Sequence, residues 1–182
     1  SIPVFSGGNP IWSPDGSRIA FKADSAIWVL EIETGTFARF FREEQKYPIP
    51  SCWARDGKSI LILLREPPSN RSKILRVFLT GELREVLSPV EGKAYRYAEE
   101  SPDGSLIAFA WCEGRNCDLW VAPSGGGNAV QLTKHPSYDD SPIWSPDGTR
   151  IAFTSARTGR MDIYVMDIDL ADLRKELKTL NK

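Results

Sequence analysis

The stretch Trp144-Ser-Pro-Asp-Gly148, followed by Ile151-Ala-Phe153, is the clearest of four copies of one phrase in a chain of 182 residues. The other copies begin at Trp12, Trp53 and Glu100. Proline and aspartate suit the corners of a type I turn, and the glycine after them suits the left-handed position. Each phrase therefore predicts a hairpin that leads into a short apolar strand.

The spacing of the phrases predicts the architecture. The turn aspartates Asp15, Asp56, Asp103 and Asp147 lie 41, 47 and 44 residues apart, and this period fits one four-stranded propeller blade per repeat. Segments rich in aromatic and β-branched residues follow as third strands, and the first three repeats continue with weaker fourth strands. We therefore predict an all-β fold, a four-bladed β-propeller of four-stranded antiparallel blades.

The two ends of the chain depart from the repeat. After the last third strand, Leu170, Leu173, Leu177 and Leu180 form one helical stripe and predict a short C-terminal helix. Residues 2–5 look like an orphan fourth strand, so we predict that this N-terminal strand closes the last blade. A disordered amino terminus is the alternative. The predicted domains are a propeller over 1–169, with blades at about 7–47, 48–93, 94–137 and 138–169 plus strand 2–5, and a helix over 170–182.

Charge and hydropathy exclude two classes of partner. The chain has 23 basic and 24 acidic residues and a net charge of -1, so it has no basic field for nucleic acid. Its longest aliphatic run, residues 60–64, is far shorter than the roughly 20 residues that span a bilayer. We expect neither nucleic-acid binding nor membrane insertion.

The three cysteines bear on the compartment. Cys112 and Cys117 flank a predicted hairpin and face each other if its strands pair in register, so they are candidates for a disulfide and an oxidising compartment. Two free thiols in a cytosolic hairpin are the alternative. Cys52 takes the place of an isoleucine in other repeats and is interpreted as a small apolar residue. A single C-x4-C pair with one histidine in the chain does not fit a zinc site, and no metal or cofactor is expected.

The phrase resembles that of a known family. The pattern Pro-x-Trp-Ser-Pro-Asp-Gly-x-x-Ile-Ala-Phe, then Asp-Ile-Tyr-Val-Met-Asp, is clearest over residues 142–167 and resembles the WD40-like repeat of TolB-type β-propellers over residues 1–169. The resemblance implies a docking platform like the periplasmic TolB component of the Tol-Pal system, or a gating propeller like those of prolyl oligopeptidase-like enzymes. TolB has six blades and a further domain, so its partner site is not carried over to four phrases. A fragment of a larger ring stays open as an interpretation.

Catalytic motifs do not occur in the chain. The sequence has no G-x-S-x-G elbow, and His135 lies in a predicted loop between blades, where we interpret it as a solvated residue. Residues 125–127 are three glycines without the lysine of a phosphate-binding loop, and we interpret them as a flexible turn. We expect no enzymatic activity from this chain.

The third repeat departs from the others where a propeller lines its axial channel. Glu99 and Glu100 replace the apolar pair that ends the first strand in the other repeats. The start of the fourth repeat adds Asp139 and Asp140. We hypothesise an acidic and aromatic patch at the channel mouth that binds a cation or a basic peptide. Its members are Tyr97, Glu99, Glu100, Tyr138, Asp139 and Asp140. The alternative is a set of solvated loop acids, one of them neutralised by Arg96.

Three classes of function remain open. We favour a non-catalytic, TolB-like binding or scaffold module in a periplasmic or other extracytoplasmic system, which docks a protein or peptide partner. The alternatives are the accessory propeller of a prolyl oligopeptidase-like peptidase and the extracytoplasmic sensor domain of a larger regulator. We expect a monomer rather than a homo-oligomer.

Overall fold

A computed structural model describes residues 7–69 and 71–180, which form fifteen strands and one helix. The first eight strands form two four-stranded antiparallel sheets in chain order. Sheet 1 contains β1 (Gly7–Trp12), β2 (Arg18–Ala23), β3 (Ala26–Glu31) and β4 (Phe37–Arg42). Sheet 2 contains β5 (Tyr47–Trp53), β6 (Ser59–Glu66), β7 (Arg71–Phe78) and β8 (Leu83–Leu87).

The remaining strands form two more antiparallel sheets. Sheet 3 contains β9 (Lys93–Glu100), β10 (Leu106–Glu113), β11 (Asn116–Pro123) and β12 (Val130–Gln131). Sheet 4 has three strands among the described residues, β13 (Asp139–Trp144), β14 (Arg150–Ser155) and β15 (Asp162–Asp167), and the helix α1 (Leu170–Leu180) follows. The all-β propeller fold and its C-terminal helix confirm the prediction from the repeat.

The turn phrase builds its hairpin as the residue types predict. In sheet 1 the amide of Gly16 donates to the carbonyl of Ser13 at 2.9 Å, and Gly16 has a φ of 71°. The Asp15 carboxylate accepts hydrogen bonds from the Ser13 hydroxyl at 2.6 Å and the Ser17 amide at 3.0 Å. These bonds hold the pKa of Asp15 at about 2. The phrase thus fixes the exit of each first strand.

Two of the three junctions between sheets share one contact. The indole Nε1 of Trp53, at the end of β5, donates to the carbonyl of Ile11 in sheet 1 at 3.2 Å. Likewise Nε1 of Trp144, at the end of β13, donates to the carbonyl of Glu99 in sheet 3 at 3.3 Å. A buried apolar core fills each of the three junctions. The four sheets therefore follow one another around a common axis, with the first strand of each sheet innermost.

The described residues form an arc of sheets. Packing joins sheets 1 and 2, sheets 2 and 3, and sheets 3 and 4, and within residues 7–69 and 71–180 no contact of similar extent joins sheet 4 to sheet 1. The predicted closing strand at residues 2–5 lies outside the described residues.

The helix α1 packs against the apolar core between sheets 3 and 4. Asp169 caps it, because its carboxylate accepts hydrogen bonds from the amides of Ala171 at 2.9 Å and Asp172 at 3.1 Å. Leu173 and Leu177 are buried in the core between sheets 3 and 4. The leucine stripe is therefore a packing surface within this molecule.

Candidate functional site

The inner strands of all four sheets border one open cleft of about 520 Å³. We call it the axial cleft. Three large apolar side chains on its walls are unusually exposed: Trp12 at 58%, Tyr97 at 49% and Ile143 at 58%. Arg55 and Glu99 supply its accessible charges. A concave site with apolar walls and few polar groups is the usual form of a binding site.

A β-bulge interrupts each inner strand beside the axial cleft. At three of the four bulges a residue takes a left-handed backbone conformation: Asn9 (φ 54°), Tyr97 (φ 44°) and Ser141 (φ 56°). Asparagine tolerates this conformation, whereas a tyrosine pays roughly 1–2 kcal/mol for it. Residues with such a strained backbone conformation are common at functional sites. Tyr97 therefore stands out as a strained and half-exposed aromatic residue at the cleft.

Glu99 is the partly accessible carboxylate of the cleft. Its Oε2 accepts the amide hydrogen of Trp144 at 2.8 Å, and its Oε1 lies 4.0 Å from the guanidinium of Arg55. Burial raises the pKa of Glu99, although the Trp144 amide and the Arg55 charge act in the other direction. The Oε1 atom is therefore held less closely than the Oε2 atom.

Glu100 lies beneath the cleft and is buried. It forms an ion pair with Arg76 of sheet 2 at 2.7 Å and accepts the amide hydrogen of Arg55 at 2.8 Å. In the repeat, Glu100 occupies the position of Trp53 and Trp144, the residues that brace one sheet on another. The predicted ligand-binding carboxylate is therefore placed as the brace between sheets 2 and 3.

Tyr138 and Asp140 form a cluster with Arg96 at the junction of sheets 3 and 4. The Tyr138 hydroxyl contacts both the guanidinium of Arg96 and the carboxylate of Asp140, and Arg96 lies 3.5 Å from that carboxylate. Burial, followed by the hydrogen bond to Asp140, raises the pKa of Tyr138 to about 12. The guanidinium of Arg96 also lies 6.0 Å from the ring centre of Tyr97. This cluster lies next to Tyr97 but does not line the axial cleft.

Asp139 points away from the cleft. It is fully buried, and its carboxylate pairs with Arg157 at 3.2 Å. Of the six predicted residues, the structure thus brings Tyr97 and Glu99 to the cleft surface, sets Glu100 below it and directs the other three into the junction of sheets 3 and 4. The surface of the axial cleft is mainly aromatic and apolar, with one long ion pair between Arg55 and Glu99.

Other candidate groups lie in ordinary structural positions. Cys112 and Cys117 are joined by a disulfide across directly paired positions of β10 and β11. Cys52 borders the cleft, and burial raises the pKa of its thiol to about 12, far from the range of a nucleophilic cysteine. His135 accepts the Ser137 amide hydrogen at 3.1 Å. Within residues 7–69 and 71–180, no His, Cys, Asp and Glu group could hold a metal ion, and no helix is long and apolar enough to cross a membrane.

Three residues of this region are not among the predicted site residues: Trp12, Arg55 and Arg76. Trp12 borders the cleft, although in the sequence it is the first residue of a turn phrase. Arg55 replaces the proline of the other three phrases, and Arg76 stands where the other third strands carry valine. Both departures from the repeat were visible in the sequence. Arg55 lies beside Glu99 and Arg76 pairs with Glu100. These two pairings depend on the packing of sheets 2 and 3, which the sequence alone does not give.

These observations define a β-propeller domain whose inner strands border the axial cleft. Residues 68–178 match the family model of the TolB beta propeller domain, and the chain belongs to that family. The Tol-Pal system protein TolB of Anaeromyxobacter dehalogenans (strain 2CP-1 / ATCC BAA-258) is 53% identical over 44 residues, which are 24% of this chain and 10% of that protein.

Two further proteins extend the comparison over most of the chain. The uncharacterized peptidase YuxL of Bacillus subtilis (strain 168) is 25% identical over 173 residues, which cover 87% of this chain and 24% of that protein. The crystal structure of TolB from Acinetobacter baumannii has a TM-score of 0.76 at 23% identity and covers 91% of this chain and 42% of the TolB chain. The chain thus spans less than half the length of each of these relatives. The structural likeness shows the fold alone.

Proposed function

We propose that this chain is a non-catalytic binding module that docks a protein or peptide partner in the axial cleft. The observation that carries the proposal is Tyr97, which is half-exposed at the cleft although its backbone is strained. Trp12 and Ile143 expose apolar surface to the same cleft. Aromatic anchors gathered in a concavity supply most of the binding energy in protein interfaces.

The charges of the cleft favour a particular kind of partner segment. Glu99 has one oxygen that is held only loosely by Arg55, and its burial makes compensation by a cation favourable. Apolar surface surrounds this carboxylate on several sides. A peptide that carries an apolar side chain next to a lysine or arginine would satisfy both features.

A binding role fits the state of the ionisable groups. Glu100 forms an ion pair with Arg76, and Glu99 accepts a hydrogen bond from the Trp144 amide. The pKa of the Cys52 thiol, about 12, keeps it protonated near neutral pH. These groups serve the junctions between sheets rather than proton transfer. The disulfide between Cys112 and Cys117 supports placement of the module in an extracytoplasmic compartment such as the periplasm.

A second candidate function is that of an accessory propeller in a peptidase. The match to peptidase YuxL favours it, because that match extends over 87% of this chain. In that case the axial cleft would contact substrate on its way to a catalytic domain. Sequencing the gene on both sides of this segment decides the matter, since a hydrolase domain in the same reading frame supports the second candidate.

Selection from a peptide library displayed on phage tests the binding module. The chain is immobilised, and the dissociation constants of the selected peptides are measured by calorimetry for wild type, Tyr97→Asn and Tyr47→Asn. Asparagine accepts the left-handed backbone at position 97 but removes the ring. Tyr47 is a matched control, because it is 47% exposed and does not border the cleft.

We expect Tyr97→Asn to weaken binding by at least tenfold and Tyr47→Asn to leave it unchanged. We also expect the selected peptides to be enriched in lysine or arginine beside an apolar residue. If peptides bind equally well to both variants, or if no peptide is enriched, the axial cleft is not a peptide site.

A further inference from the structure

A second pocket lies at the end of sheet 3 that is remote from the axial cleft. It has a volume of about 470 Å³ and is lined by residues on both sides of the turn between β10 and β11. Lys93, which lines it, and Glu100 stand at opposite ends of β9, roughly 20 Å apart along the strand. We call it the hairpin pocket. The side chains that decide its chemistry are Lys93, Trp111, Glu113, Asn116, Asp118 and Trp120.

These side chains project from one face of sheet 3. Trp111 is paired directly with Asp118, and two residues further along the strands Glu113 is paired with Asn116. Trp120 lies two residues from Asp118 in the other direction. Directly paired residues, and residues two positions apart on a strand, share one face of a sheet. Trp111 and Trp120 also contact the apolar core between sheets 2 and 3, so the pocket belongs to a junction within the arc and to neither of its ends.

The aromatic wall of the hairpin pocket is a departure from the repeat. Strand pairing shows which residues occupy the position of Trp111 in the other sheets: Ala23, Leu64 and Ser155. The repeat therefore does not account for a tryptophan at this position. Tyr95 stacks on Trp111 with ring centres 5.6 Å apart, and Trp120 meets Trp111 edge to face at 4.8 Å. Both indoles are held in place by these contacts and remain partly exposed.

Two polar atoms of this pocket lack a hydrogen-bond partner. Among the buried side-chain polar atoms of residues 7–69 and 71–180, the unpaired ones are Nε1 of Trp111 and Oδ1 of Asn116. Buried polar atoms are nearly always paired, so two unpaired ones in a single pocket point to a ligand. The indole nitrogen only donates and the amide oxygen only accepts, whereas a hydroxyl group does both. Hydroxyl groups therefore match this pair of atoms.

The charges of the hairpin pocket disfavour an anionic ligand. Lys93 is already paired with Glu113, since its Nζ lies 3.3 Å from that carboxylate. Asp118 accepts hydrogen bonds from the side-chain amide of Asn116 at 3.3 Å and from the Thr133 hydroxyl at 3.4 Å. One basic and two acidic groups leave no positive charge over for a phosphate or a carboxylate. The carboxylates can instead accept hydrogen bonds from a neutral ligand.

A disulfide fixes the two strands that carry the pocket. Cys112 and Cys117 are directly paired and bonded to each other, and each is flanked on both sides by residues that line the pocket. The crosslink holds these strands at one separation before a ligand arrives. A site that is formed in advance loses less conformational entropy when it binds.

We propose that the hairpin pocket binds a neutral saccharide, with a pyranose ring on the indole of Trp120 and hydroxyl groups bonded to Trp111, Asn116 and Asp118. A pyranose has an apolar face of C–H groups and a rim of hydroxyl groups, which matches an aromatic wall beside an unpaired donor and an unpaired acceptor. The proposal does not depend on the proposed function, because the axial cleft and the hairpin pocket share no lining residue.

Titration followed by proton–nitrogen NMR tests the proposal. The chain has six tryptophans, and each indole N–H gives one signal. The signals of Trp111 and Trp120 are assigned from Trp111→Leu and Trp120→Leu, which place leucine where sheet 2 carries Leu64 and Leu75. The probes are the methyl pyranosides of glucose, galactose, mannose and N-acetylglucosamine at millimolar concentration. We expect at least one of them to shift these two signals more than the other four.

Two variants locate the binding site. Trp120→Leu should weaken the dissociation constant of the bound pyranoside at least tenfold, whereas Trp28→Leu, the same substitution at the equivalent position of sheet 1, should leave it unchanged. Asn116→Ala should weaken it several-fold and provides a test that does not depend on the folding of Trp120→Leu. Circular dichroism checks that each variant is folded. The methyl glycoside of glucuronic acid should bind several-fold more weakly than that of glucose, because Glu113 and Asp118 repel its carboxylate.

Four results would overturn the proposal. The first is that none of the four pyranosides shifts the signals of Trp111 and Trp120. The second is that all six indole signals shift alike, as they would with unspecific binding. The third is an affinity that stays unchanged in folded Trp120→Leu or in folded Asn116→Ala. The fourth is a glucuronide that binds as tightly as the glucoside, which would contradict a site for a neutral ligand.

Discussion

At the scale of single residues, Glu100 and Arg76 carry a stability prediction. Both are nearly buried, at 4% and 7% exposure, and their ion pair spans sheets 2 and 3. Glu100→Ala leaves the guanidinium buried without its partner, so we expect the free energy of unfolding to fall by about 3–5 kcal/mol. Urea denaturation measures it. As a control, Asp167→Ala removes an exposed pair and should cost at most about 0.5 kcal/mol.

The repeat suggests how to reverse that loss. Valine is the residue of the other third strands at position 76, and tryptophan ends the other first strands at position 100. The double variant Arg76→Val with Glu100→Trp should therefore be more stable than either single variant, with the new indole donating to the Cys52 carbonyl. The free energies of unfolding are measured by urea denaturation. If the double variant loses as much stability as the two single variants together, the ion pair and the tryptophan contact are not interchangeable.

Tyr97 carries a prediction of opposite sign. Its left-handed backbone costs free energy that asparagine largely avoids, so Tyr97→Asn should raise the free energy of unfolding by about 1 kcal/mol while weakening peptide binding. Tyr97→Phe keeps both the ring and the strain and should leave stability unchanged. A Tyr97→Asn variant that is less stable than wild type would indicate that the ring supports the fold.

At the scale of elements, the turns predict how stability depends on pH. Hydrogen bonds from Ser13 and Ser145 are the first cause that lowers the pKa of Asp15 and Asp147 to about 2, from an ordinary 3.8. Both carboxylates therefore stabilise the folded state fully above pH 4, and this contribution disappears as the pH falls toward about 2. In Ser13→Ala with Ser145→Ala, denaturation midpoints should depend less on pH over this range. An unchanged dependence would contradict the role of the two hydroxyls.

The hairpin of β10 and β11 predicts a dependence on redox conditions. The disulfide closes a short loop, so its reduction should lower the free energy of unfolding by about 2 kcal/mol. Denaturation with and without reductant measures the change, and mass spectrometry after alkylation verifies that reduction is complete. Equal midpoints for fully oxidised and fully reduced chains would show that the disulfide does not stabilise the fold.

The sequence predicted elements well because each turn phrase imposes its geometry locally. The third strands and the helix follow from periodicity and residue type, and they appear at β3, β7, β11, β15 and α1. The site was harder to predict, because its contacts join residues from different repeats. Nothing local in the sequence shows that Glu100 meets Arg76 across a sheet junction, or that Asp139 turns away from the cleft to Arg157.

At the scale of the whole molecule, the sequence repeat explains how the sheets pack on one another and where one junction differs. Each sheet rests on its predecessor through a first strand that ends in tryptophan, or in Glu100 where Arg76 faces it. Among residues 7–69 and 71–180, the same stacking places the inner strands around one cleft and leaves Ile163 and Val165 of sheet 4 exposed. The repeat pattern could not predict the exposure of apolar residues at the cleft and on sheet 4. In the other repeats the positions equivalent to Trp12 and Ile163 are buried, so the pattern marks them only as core residues.

Hydrogen exchange of the chain with and without a selected peptide shows where the partner binds. We expect binding to slow amide exchange at the inner strands around the axial cleft, in residues 51–55, 97–100 and 141–144, and to leave exchange in the outer strands β4, β8 and β12 unchanged. Protection confined to the outer strands, or spread evenly over all four sheets, would contradict the assignment of the axial cleft as the partner-binding site.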